Sequence, residues 1–103
     1  MPLFYRLTGP ARQDLDEIWD YLYREILSLN VPNRVLDNIH HHLDAIADNP
    51  SIGHRRDDQT DRDVWFSRIY SYLVIYSMGT DHVAILGLVH MARDLPEVLH
   101  DRD

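Results

Sequence analysis

The chain has 103 residues, 45% of them hydrophobic, enough for one ordinary core and too few for a second domain, so a single domain over residues 1–103 is expected. It has no cysteine, which excludes disulfides and thiolate metal sites, and nothing in it demands an oxidising compartment. The net charge is -7 and all ten basic residues are arginine, so tight nonspecific binding to nucleic acid, which rests on neutralising phosphates, is not expected.

The opening Met1-Pro2-Leu3-Phe4-Tyr5-Arg6 lacks a basic region followed by a long apolar stretch. No later run approaches the roughly 20 apolar residues that span a bilayer, so a soluble, unprocessed, cytoplasmic chain is the expectation. Leu3 to Thr8 alternates weakly, with Leu3, Tyr5 and Leu7 on one side, and predicts a first strand. Thr8-Gly9-Pro10 ends it. Thr8 can cap a helix that starts there, proline suits its first turn, and Asp14, Asp16 and Glu17 are expected to place negative charge near its start. Ala11, Leu15, Ile18, Trp19, Leu22 and Ile26 then recur every three or four residues and predict an amphipathic helix.

Asn30-Val31-Pro32 is expected to interrupt that helix, because proline disfavours helix in the residue before it and suits the start of a new one. A second helix follows with Val35, Ile39, Leu43 and Ile46 as its buried stripe, and Asn49-Pro50 stops it with Gly53 nearby. A charged loop runs from His54 to Asp61. After it, Asp63 to Ile69 predicts a strand, and Tyr70-Ser71 leaves room only for a tight turn into Tyr72-Leu73-Val74-Ile75-Tyr76. Val83 to Val89 is a last apolar run beyond a short polar link with a glycine. Tyr72, Val74 and Tyr76 share one strand face and Leu73 and Ile75 the other; both faces are largely apolar, which places this hairpin mid-sheet. The order is β-α-α-β-β-β, an α+β fold with a two-helix hairpin packed on a small sheet.

The hairpin ends by delivering His90-Met91-Ala92-Arg93-Asp94-Leu95. Cutting RNA through its 2'-hydroxyl needs a proton acceptor, a proton donor and cations for the charged phosphorane, and His90, Tyr76 and Arg93 are the only set that could supply them. With no lysine to add, that set is thin. His90 reads better as a strand-end histidine satisfying buried backbone groups, and Arg93 with Asp94 reads equally as a structural pair or an interface arginine. Arg55, Arg56, Arg62 and Arg68 form a cationic stretch, yet Asp57, Asp58, Asp61 and Asp63 are interleaved with them and favour a solvated loop of compensated charge. His40-His41-His42 cannot converge on one ion, because successive helical residues point about 100 degrees apart, and His54, His82 and His100 show no ligand spacing, so no metal is expected. Among Trp65, Phe66, Tyr70, Tyr72 and Tyr76, some are expected to face outward from the side of the sheet that the helices leave uncovered. Such an aromatic and arginine surface would suit a wrapping peptide, by strand addition or as a helix in a groove.

Several pieces in order, Thr8-Gly9-Pro10-Ala11 with Asp14-Leu15 and Ile18-Trp19-Asp20-Tyr21-Leu22, Asn49-Pro50-Ser51-Ile52-Gly53, Tyr72 to Tyr76, Ile85-Leu86 and Val89 to Leu95, resemble the ParE branch of the RelE/ParE superfamily, the toxins of bacterial type II toxin-antitoxin modules. The resemblance implies a helix hairpin on a small, mainly antiparallel sheet. It implies a ParD-like antitoxin partner, a ribbon-helix-helix protein through which alone DNA is contacted, and DNA gyrase as a target inhibited by protein binding, with no cofactor and no membrane. Arg55, Arg56, Trp65, Arg68, Tyr72, Tyr76 and Arg93 are the candidates for antitoxin or target binding. Two alternatives stay open: a ribosome-dependent messenger endoribonuclease of RelE type using His90, Arg93 and Tyr76, and an inactive module that only joins its antitoxin in operon repression. The chain departs from the family pattern at Trp65 and Ser77, where arginine is frequent, and in its acidity, which implies an antitoxin held by apolar and arginine contacts more than by bulk charge.

Overall fold

The computed structural model describes residues 4–55 and 63–90, in the order β1 (Phe4–Leu7), α1 (Gly9–Ile26), α2 (Asn30–Asp48), a 3-10 turn (Pro50–Ile52), β2 (Trp65–Ile69), β3 (Tyr72–Met78) and β4 (His82–His90). The four strands form one sheet in the order β1-β4-β3-β2, with β1 parallel to β4 and the other pairs antiparallel. The hairpin β3-β4 is thus central, as its apolar faces require.

α1 begins where Thr8 Oγ1 accepts the Ala11 N–H at 3.4 Å, with proline in the first turn. Its first turn holds no acidic residue, contrary to the expectation for Asp14, Asp16 and Glu17: the helix starts at Gly9, so those carboxylates lie past the reach of its dipole. The break between the helices also falls earlier than Asn30. α1 ends at Leu27, in the left-handed region at φ 56, and Asn30 to Pro32 already belong to α2. Pro32 is tolerated there because the first turn's N–H groups have no helical partner to lose.

The register of the central hairpin shifts between Ile75, opposite Gly87, and Tyr76, opposite Ile85, so Leu86 is the extra residue of a bulge. Simple alternation would put Val83, Ile85, Gly87 and Val89 on one face. The bulge instead sends Val83, Ile85 and Leu88 into the core under the helices and Leu86 and Val89 to the opposite side. On the helix side they meet Leu15, Ile39, Leu43 and Ile46; at about 1.5–3 kcal/mol for each fully buried aliphatic side chain, this layer is the main source of stability.

The other face is not the exposed aromatic surface expected from the sequence. Val64, Phe66, Leu73, Ile75 and Val89 are buried there as a second cluster, and Trp65, Tyr72 and Tyr76 pack toward the helices instead. The three consecutive histidines diverge, as helical geometry demands. His40 Nδ1 lies 2.9 Å from the Tyr5 hydroxyl, His42 Nε2 shares a 2.7 Å hydrogen bond with Ser67 Oγ on β2, and His41 is exposed. Among the described residues no helix is long and apolar enough to cross a membrane.

Candidate functional site

β4 outlasts its neighbour. β1 pairs only with His82 to Ile85, and beyond that point the start of α1 takes over the edge. Thr8 donates to the Ile85 carbonyl from both its N–H, at 3.1 Å, and its hydroxyl, at 2.8 Å. Nearly two turns further along α1, the buried Asp14 carboxylate accepts the Leu88 N–H at 2.9 Å. α1 and β4 are thereby pinned together at one end. Past Leu88 they border an open groove of about 860 Å³ that also takes in the turn between β2 and β3.

α1 contributes Glu17, Tyr21 and Arg24 to one wall of this groove, spaced so that they share a helix face. Tyr72 and His90, directly opposite each other across β3 and β4, contribute the other wall, with ring centroids 5.9 Å apart edge to face. Tyr70 stands at the mouth. It adopts φ 56 in a two-residue turn, a conformation that costs a non-glycine residue energy, and Asn38 Nδ2 of α2 donates to its hydroxyl at 2.8 Å. Arg68, opposite Leu73 on the far face of the sheet, does not line the groove, although its Nε donates to the Tyr70 carbonyl at 3.2 Å.

Of the residues singled out in the sequence, Tyr72 and His90 therefore meet at one end of the sheet, with Arg68 at the same end on its far face. Tyr76, Trp65 and Arg55 lie at the other. Tyr76 is four positions from Tyr72 along β3, about 13 Å at strand rise, and is fully buried, with its hydroxyl donating to the Pro50 carbonyl at 2.5 Å. Burial raises its hydroxyl above the ordinary tyrosine range. Trp65 sits opposite Tyr76, and Arg55 pairs with Asp63 at 2.9 Å. Arg56 and Arg93 lie outside the described residues, as does the rest of the run after His90. His90 and Tyr76, two of the three groups a nuclease would draw on, are not brought together. Among the described residues no three histidine, aspartate or glutamate side chains cluster to hold a metal.

The groove residues that sequence reasoning missed are on α1: Asp14, Glu17, Tyr21 and Arg24. One signal was present: Ala11, Asp14, Leu15 and Ile18 fall at i, i+3, i+4 and i+7, so Asp14 stands inside the apolar stripe and must have a buried partner. The others look like an ordinary solvated helix face.

The chain matches the family described as the ParE toxin of type II toxin-antitoxin system, parDE, over residues 5–95. No curated protein matches it. Among solved structures, it is similar to a chain of the chromosomal ParDE toxin-antitoxin system from P. aeruginosa, with a TM-score of 0.70 and 16% identity over 85% of this chain and 95% of that one. It is also similar to a chain of the toxin-antitoxin complex RelBE2 from Mycobacterium tuberculosis, with a TM-score of 0.63 and 22% identity over 87% of this chain and 99% of that one. At these identities the structural likeness carries the fold, and the family match, which spans nearly the whole chain, carries the membership. The chain belongs to the ParE toxin family of type II toxin-antitoxin systems.

Proposed function

We propose that this toxin is a single cytoplasmic domain that inhibits DNA gyrase by binding it, and that a ParD-like ribbon-helix-helix antitoxin neutralises it and alone contacts DNA. The family description names a parDE system, which supports a ParD-like partner. The gyrase target is carried over from the resemblance to ParE toxins. The observation that carries binding rather than RNA cleavage is the separation of His90 from Tyr76. His90 faces Tyr72 in an open groove, whereas Tyr76 is buried beneath the turn after α2 with its hydroxyl already engaged. A proton acceptor and donor at opposite ends of a strand pair cannot act on one phosphodiester. The net charge of -7 without lysine also disfavours direct grip on RNA. Purified toxin added to a gyrase supercoiling assay and, separately, to a translation extract tests this. Supercoiling is expected to stop while messenger stays intact, and messenger cleavage without gyrase inhibition would overturn the reading.

A further inference from the structure

We propose that Thr8 and Asp14 form a register clamp on β4. They hold the bulge at Leu86, and when both are released the second half of the strand slips by one residue against β3 and carries His90 from the groove to the opposite face of the sheet. The clamp is a property of the chain's own conformations and stands apart from the identity of its target.

Hydrophobic pattern alone does not demand the bulge. Pairing with β1 fixes His82 to Ile85, so only the strand from Leu86 onward can be re-paired. With the bulge, Gly87, Leu88, Val89 and His90 face Ile75, Val74, Leu73 and Tyr72. Absorbing Leu86 into the ladder would set Leu86, Gly87, Leu88 and Val89 opposite those same residues. Leu86 and Leu88 would then share the far face with Ile75 and Leu73, and Val89 would join Val74 and Tyr72 under the helices. Gly87 would leave a gap beside Val74, but both faces stay apolar and no polar side chain is driven into the core.

Hydrogen bonds discriminate where side chains do not. β1 ends at Leu7, opposite Ile85, so beyond that point the β4 groups that turn away from β3 have no strand beside them. Thr8 serves them at the bulge: its N–H donates to the Ile85 carbonyl at 3.1 Å, and its hydroxyl reaches that carbonyl at 2.8 Å and the Leu86 carbonyl at 3.3 Å. Asp14, only 7% exposed, accepts the Leu88 N–H at 2.9 Å. Successive N–H groups of a strand point to opposite edges, so a slip by one turns the Leu88 N–H toward β3 and takes that donor from the carboxylate. For a buried charged acceptor the loss is costly, and it opposes the slip.

Thr8 caps α1 and Asp14 lies within it, so the register of β4 is coupled to the seating of that helix. His90 faces Tyr72 with ring centroids 5.9 Å apart, and the two wall the groove. In the slipped register Val89 takes the place opposite Tyr72, and His90 turns to the far face. Lifting the start of α1 from the sheet edge therefore remodels the groove without unfolding the strand. Thr8 and Asp14 are positioning residues for His90.

The chain has no cysteine, so introduced pairs report the register directly. Leu73→Cys with Val89→Cys places two thiols opposite each other in the bulged register, and Leu73→Cys with Leu88→Cys does so only after the slip. Opposed Cα atoms about 5 Å apart suit a disulfide. Each pair is oxidised in the full chain, alone and combined with Thr8→Val, with Asp14→Leu, and with both. The slipped pair is expected to close about 10-fold faster with either single change and about 100-fold faster with both. Thr8→Ser keeps the hydroxyl and should keep closure slow. Losing the cap of α1 frays a helix but does not re-pair a strand, so closure at Leu88→Cys separates a clamp from a merely structural role. If the double variant loses its circular dichroism, Thr8→Val alone decides by the same readout. Slipped closure no faster in any folded variant, with the bulged pair still forming, would overturn the proposal.

Discussion

The Tyr76 hydroxyl donates a 2.5 Å hydrogen bond to the carbonyl of Pro50, tying the fully buried tyrosine of β3 to the turn that follows α2. The contact explains two residues at once. A Cβ on Gly53 would collide with that hydroxyl and come within 2.8 Å of the Phe66 carbonyl oxygen, so the glycine is there to let Tyr76 in.

Tyr76→Phe removes the hydroxyl and leaves the Pro50 carbonyl without its donor, and is expected to destabilise the fold by about 1–2 kcal/mol in urea denaturation. Gly53→Ala should cost about 1–3 kcal/mol by overpacking. Combined, the two should cost less than their sum, because the phenylalanine no longer presents the oxygen that the new methyl strikes. Additive costs would show that Tyr76 does not set the requirement for glycine.

Asp14 accepts the Leu88 N–H inside the sheet edge, a charged group on a buried donor. Asp14→Ala strands that N–H and is expected to cost about 2–3 kcal/mol, whereas Asp14→Asn keeps an acceptor and should recover part of it. Amide exchange at Leu88 is the direct readout: it should accelerate in Asp14→Ala more than at the neighbouring β4 amides.

His42 is desolvated against β2, which lowers its pKa from the ordinary histidine value, with Ser67 as its partner. In the unfolded chain the ring protonates near pH 6.5, while the folded chain resists the proton. The unfolded state therefore binds more protons as pH falls below about 6.5, and stability declines with acidification through that window. Thermal melts at pH 7.5 and 5.5, with the pH values chosen to bracket the unfolded pKa, should show a drop that is smaller in His42→Gln. An equal drop in both proteins would assign the acid sensitivity elsewhere.

Leu27 caps α1 in the left-handed region and is 77% exposed. Leu27→Gly removes the steric cost of that conformation and, since little packing is lost, should stabilise the fold by up to about 1 kcal/mol, read as a rise in melting temperature.

The strand and helix order was legible because each apolar stripe keeps its own period: Leu15, Ile18 and Leu22 on α1, Ile39, Leu43 and Ile46 on α2, and alternating faces along β3. The bulge at Leu86 was not, since an apolar run such as Val83 to Val89 reads the same in either phase. The covered second face was missed for a related reason. Leu73 and Ile75 look apolar whether or not something lies over them, and a helix hairpin suggests only one layer. The groove itself depends on long-range neighbours, Glu17 and Arg24 from α1 with Tyr70, Tyr72 and His90 from the sheet, which local pattern cannot bring together. Asp14 alone carries a local signal, a carboxylate inside an apolar stripe, which the reading of it as helix-start charge passed over.

The most direct test of a toxin that works by binding is gyrase supercoiling in the presence of purified wild-type chain, measured beside messenger integrity in a translation extract. Inhibited supercoiling with intact messenger, reversed by adding the protein of the adjacent reading frame, is the predicted result. Cleaved messenger with unaffected gyrase would contradict it.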